Sequence, residues 1–182
     1  MTDTRMSEAE VSLRLAMHLA SSGRAATSVS VAIDGAQVKV GKTEHFNVAA
    51  FLQPLGWLAE SASARWQGVY VNANANVQIR IHSQPGLGDV TATLDTGHSF
   101  IAEAKKGPLV SSKSSAEYPL LREALGQLLT LEEIPDNALL AVAVPAGERF
   151  MKLAERWRNA PLIRRAGIRI LTVARSGAIQ GW

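Results

Sequence analysis

The chain has 182 residues, of which 47% are hydrophobic and 19% charged, with a formal net charge of +3. That suits one globular domain with a sizeable core and excludes a disordered or strongly basic coat protein. No apolar run nears the roughly 20 residues of a membrane span, and the absence of cysteine rules out disulfides and thiolate-bound zinc. A polar, acidic start, "MTDTRMSEAE", is unlike a secretory signal and, with the missing cysteines, points to the reducing cytoplasm.

"SEAEVSLRLAMHLASSG" reads as a helix, with Ser7 and Glu10 in capping-box spacing and Gly23 at the exit. In "SVSVAIDGAQVKV" the Asp34-Gly35 pair between alternating residues predicts a hairpin. "TEHFNVAAFLQPLGWLAES" predicts a helix capped by Thr43 and ended or bent at Pro54. "QGVYVNANANVQIRIH" supplies one or two strands around a polar turn, and "GLGDVTATLDTGHSFIAEAKKG" reads as strand, turn, strand. After a polar loop comes a helix, "YPLLREALGQLL", with Leu121, Leu125, Leu128 and Leu129 as its apolar stripe. "ALLAVAVP" is a short continuous apolar run and so a central strand. An amphipathic helix interrupted near Pro161 and a closing strand with an edge strand complete the chain. Between Arg149 and Arg175 stand eight basic residues against the lone acid Glu155. Within that basic stretch Arg156, Arg164 and Arg165 are candidate contacts to a phosphate backbone. The element order predicts an α/β (α+β) fold with a mixed central sheet flanked by helices.

The chemistry lies between Gly86 and Gly107. Alternation puts Ile101, Glu103 and Lys105 on one face of their strand and Ala102 and Ala104 on the other, where a helix can pack closely. A three-residue loop, Asp95-Thr96-Gly97, pairs Leu94 with His98 and, counting outward, sets Asp89 opposite Glu103. Two facing carboxylates repel unless a cation joins them, and oxygen ligands alone favour Mg²⁺ or Mn²⁺. Lys105 would stand beside that ion. An even loop length would turn Asp89 away and abolish the site. Arg80, nearby in sequence, is a further candidate phosphate contact.

The carboxylate, then carboxylate-x-lysine pattern, carried by "GD" in one strand and "AEAKKG" in the next with a helix after them, resembles the PD-(D/E)XK nuclease superfamily. The resemblance covers roughly residues 86–178 and the first helix. It implies a restriction-endonuclease-like αβββαβ core in a single domain over residues 1–182, with residues 24–85 left over as a candidate insertion. It also implies a metal-dependent nuclease acting on nucleic acid, DNA above all, with Asp89, Glu103 and the carbonyl of Ala104 as ligands of Mg²⁺ or Mn²⁺. Lys105 would be the catalytic lysine. On the first helix Glu10 or Glu8 would approach the metal, and on the helix after the lysine Gln127 would join the catalytic set. Two departures stand out: Gly88 replaces the usual proline before Asp89, and Leu131 stands where the RecB-like branch has a tyrosine.

Two other readings compete. The chain could be a catalytically inactive DNA-binding or assembly subunit of a larger complex, or Glu103 and Lys105 could form a purely structural ion pair. Partners implied are nucleic acid and a second copy or other subunits, and no membrane.

Overall fold

A computed structural model describes residues 4–60, 66–110 and 116–182. Helix α1 (Glu8–Ser21) begins where Ser7 offers its hydroxyl to the N–H of Glu10 at 3.1 Å. It ends before Gly23, whose φ of +76° takes the chain through a turn that other residues rarely adopt. Before the helix, β1 (Arg5–Met6) pairs with the distant β10 (Gly107–Pro108). The described residues form a mixed α/β protein with six helices around a nine-stranded mixed sheet. Among them no helix is long and apolar enough to cross a membrane.

The first half of the sheet comes from β2 (Val29–Ala32), β5 (Leu58–Ala59), β6 (Gly68–Val71) and β7 (Ile79–His82). The second comes from β8 (Val90–Thr93), β9 (Ser99–Ala104), β11 (Ala138–Pro145), β12 (Arg169–Val173) and the edge strand β13 (Ile179–Gln180). Their spatial order is β13-β12-β11-β9-β8-β2-β7-β6-β5. Strands β9, β11 and β12 run parallel, β8 runs against both β9 and β2, and β2 is parallel to β7. Residues 24–85 therefore supply four strands of the same sheet, and β2 pairs directly with β8.

Two layers of side chains hold helices to the sheet. Ala102 and Ala104, with Ala141 and Ala143 beside them, let α1 lie close on one face through Leu13, Ala16 and Leu19. On the other face Ile101, Val142 and Ile170 meet α4 (Glu117–Leu129) and α5 (Glu148–Arg158) through Leu121, Leu125 and Phe150. Strand β11 is covered on both faces, which is why its sequence is apolar without alternation. Beyond β8, among the described residues, no helix packs on the face shared with Ile101, and its side chains are polar or half-exposed, Ser30, Thr91 and Arg80 among them.

Three local expectations give way. Asp34 and Gly35 make no hairpin: the Asp34 carboxylate caps a short helix, α2 (Gly35–Val38), by accepting from the N–H of Ala36. An aspartate before glycine serves a helix N-cap as well as a tight turn, and here Val29–Ala32 finds its partners far away in β7 and β8. Thr43 caps nothing. It lies in β4 (Thr43–Glu44), paired with β3 (Lys39–Val40), and Asn47 caps the following helix α3 (Val48–Leu52). Leu129, placed on the stripe of α4, is 67% exposed because the helix turns it away from the sheet. The break near Pro161 holds, with α6 (Pro161–Ala166) following α5.

Glycine marks where β10, which follows the site strand, presses on the start of α5. A Cβ on Gly147 would lie 2.3 Å from the Pro108 carbonyl oxygen, and one on Gly107 2.3 Å from the Phe150 ring. Gly147→Ala is expected to cost about 2 kcal/mol, a loss of roughly 4–8 °C in melting temperature. Gly126→Ala, inside α4 with nothing within 4 Å of its Cβ position, should instead gain about 1 kcal/mol. Thermal melts of the two variants check both signs.

Candidate active site

The hairpin of β8 and β9 sets the geometry. Gly97 takes φ +81° and its N–H reaches the Leu94 carbonyl at 2.9 Å, while the Leu94 N–H reaches the carbonyl of His98 at 2.8 Å. The ladder then runs Thr93 to Ser99, Ala92 to Phe100, Thr91 to Ile101 and Val90 to Ala102. One step further, Asp89 faces Glu103, the register that the odd loop requires. The Asp89 carboxylate accepts from the N–H of Ala104 at 2.8 Å, and its carbonyl accepts from the N–H of Ala32 at 2.9 Å. Both ends of the aspartate are thereby fixed. A Cβ on Gly88 would come within 3.0 Å of the Ala102 carbonyl oxygen and of the Ile101 side chain, which gives glycine there a steric reason.

Asp89 and Glu103 lie within hydrogen-bonding reach of each other, and both are harder to ionise than a free carboxyl. Burial is the main cause: it pushes Asp89 up to about 6 and Glu103 up to about 7. The Asp89 charge raises Glu103 further, while the Ala104 N–H and the bond from Glu103 hold Asp89 down; Glu8 pushes both up and the Lys105 charge pulls both down. Lys105 is buried at 4% exposure, and its ammonium lies 3.2 Å from a Glu123 oxygen on α4. The carboxylates open into a cleft of about 510 Å³ lined by Glu8, Asp34, Asp89, Glu103 and Gln127. It sits where the carboxyl ends of β2, β7 and β9 meet the start of β8, the end of an α/β sheet at which ligands commonly bind.

No family model, curated protein or solved structure matches this chain. The site must be read from its own atoms.

Of the residues singled out in the sequence, Asp89, Glu103, Ala104, Lys105 and Gln127 come together. Glu10 does not. Its carboxylate is spent on Arg14 at 2.9 Å and Arg175 at 3.2 Å, tying α1 to the segment after β12. Glu8, two residues earlier on α1, lines the cleft instead, with its carboxylate held by the Gln37 amide at 3.0 Å. Arg80 is exposed on the open sheet face, in one row with Ser30, Thr91 and Ile101. Strand spacing puts it roughly 15 Å from Glu103. Arg156, Arg164 and Arg165 are exposed on α5 and α6 and do not line the cleft. Arg164 lines a separate depression with Arg158, Arg169 and Trp182. Sequence reasoning missed Glu123 and Gln37. Glu123 had a legible signal, since it stands one helical turn before Gln127.

Among the described residues no three His, Asp or Glu side chains cluster closely enough to cage a metal. The donor set still fits Mg²⁺, which is commonly held by one or two carboxylates while water and substrate phosphate complete its shell. Two facing buried carboxyl groups whose joint ionisation is opposed mark the place that a cation would take.

The same pair makes stability depend on pH. Both acids bind protons more tightly folded than unfolded, so the folded state carries the extra proton between about pH 4 and pH 7. That contribution is complete below about pH 4 and is lost as pH rises through 6 to 7. In divalent-free buffer the urea midpoint should fall from about pH 5 to pH 8, and Glu103→Gln should flatten the decline. Mn²⁺ should restore the wild type at pH 8 and leave Glu103→Gln little changed. Parallel pH slopes in the two proteins would show that the pair does not hold the extra proton.

Proposed function

We propose that the protein is a metal-dependent nuclease that hydrolyses phosphodiester bonds of nucleic acid, DNA above all. The observation that carries this reading is the facing pair Asp89 and Glu103 with Lys105 one strand repeat further on. Supporting it, α1, β2, β8, β9, α4 and β11 follow one another in the αβββαβ order implied by the resemblance to PD-(D/E)XK nucleases. They form a mixed sheet in which β2, β8, β9 and β11 are neighbours. Strands β7, β6 and β5 then extend one side of that core beyond β2 as an insertion.

Asp89 and Glu103, with the carbonyl of Ala104, would hold Mg²⁺ or Mn²⁺. Such an ion, when bound, polarises the scissile phosphate and makes a bound water more acidic. Lys105 supplies a fixed positive charge against the charge that develops on the phosphoryl oxygens as water adds to phosphorus and the leaving oxygen departs. Burial keeps that ammonium from being screened. Gln127, exposed at the cleft mouth, offers its amide to substrate or water. Beyond the cleft the open sheet face leads toward Arg80, far enough for a phosphate some two or three nucleotides away. The exposed Arg156, Arg164 and Arg165 would serve more distant backbone contacts.

Purified protein should nick or degrade DNA with Mg²⁺ or Mn²⁺ and not with EDTA. Lys105→Ala should lower the rate roughly a thousandfold or more while the protein stays folded by circular dichroism. Salt-sensitive DNA binding without cleavage, unaffected by chelator, would favour the inactive binding subunit instead.

A further inference from the structure

Lys105 is buried, and a buried ammonium needs a partner acid. Of the acids beside it, Asp89 is committed to the Ala104 N–H at 2.8 Å, and it faces Glu103 across the hairpin. The acid that meets the Lys105 ammonium is Glu123, at 3.2 Å. Its own side chain is 58% exposed, so the pair joins a buried ammonium to a carboxylate at the rim that water still reaches.

We propose that Glu123 is the positioning residue for Lys105, holding its ammonium beside the carboxylate pair; this rests on the nuclease reading. Charge balance supports the assignment. Two ionised carboxylates neutralise a divalent ion, which leaves the lysine as an unbalanced positive charge next to another cation. Glu123 supplies the missing negative charge from outside the ligand set. Its place is fixed by α4, whose Leu121, Ala124, Leu125 and Leu128 anchor the helix against the sheet face that carries Ile101 and Lys105. Glu123 and Gln127, four residues apart, share the side of α4 that meets the site. The lysine would otherwise swing toward the acids or toward solvent, and a misplacement of about 1 Å in such a group can cost a hundredfold in rate.

The test is steady-state cleavage of a duplex DNA by the full chain with Mg²⁺. Glu123→Gln should lower kcat roughly ten- to a hundredfold with KM within about twofold, the variant staying folded by circular dichroism. Glu123→Asp should recover most of the loss. Adding Glu123→Gln to Lys105→Ala should slow the residual reaction no further, because the acid acts through the lysine. An unchanged kcat in Glu123→Gln, or additive losses in the double variant, would overturn the proposal while leaving the nuclease reading intact. No Mg²⁺-dependent cleavage by the wild type would overturn both.

Discussion

Two buried carboxyl groups held face to face at the end of a hairpin are costly to ionise together. Burial keeps them from ionising together, and the loop at Gly97 prevents them from moving apart. The local structure enforces the encounter from several sides. The Ala104 N–H grips one carboxylate, the Ala32 N–H grips the Asp89 backbone, and the bare Cα of Gly88 lets the strand approach the Ala102 carbonyl. A fold selected only for stability would replace such a pair with amides or apolar side chains. Strain concentrated at one spot of an otherwise well-packed sheet is what a binding or catalytic site looks like.

The surrounding architecture serves that spot. Small side chains at Ala102 and Ala104 admit α1 closely, and its first turn brings Glu8 to the cleft. On the opposite face α4 brings Glu123 to the lysine and Gln127 to the mouth. Each helix thus contributes to the core and to the site with different faces. Beyond β8, among the described residues, the α4 side of the sheet carries a shallow cavity lined by the hydroxyls of Ser28, Ser30, Thr91 and Ser99.

Much of this was legible before any coordinates. The hairpin register followed from counting three loop residues with a glycine last, because side-chain direction in a strand depends only on parity. The buried strand Ala138–Pro145 and the capped first helix followed from local pattern in the same way. What failed depended on partners remote in sequence. Val29–Ala32 pairs with strands some fifty residues away, so the aspartate after it was free to cap a helix instead of closing a hairpin. Glu10 meets Arg175 across 165 positions, which no local spacing could reveal. The basic carboxyl-terminal stretch offered candidate phosphate contacts, and its exposed arginines lie away from the cleft because α5 and α6 carry them along the outside of the sheet.

The central claim concerns a single position in space, between one aspartate and one glutamate, that a divalent ion should occupy. Diffraction from a crystal soaked in Mn²⁺ at about pH 8, recorded for anomalous signal, addresses it most directly. The account predicts one strong peak within bonding distance of a carboxylate oxygen from both Asp89 and Glu103, with the Lys105 ammonium nearby. A saturating soak that leaves no peak there, or places manganese only on other acids, would contradict it.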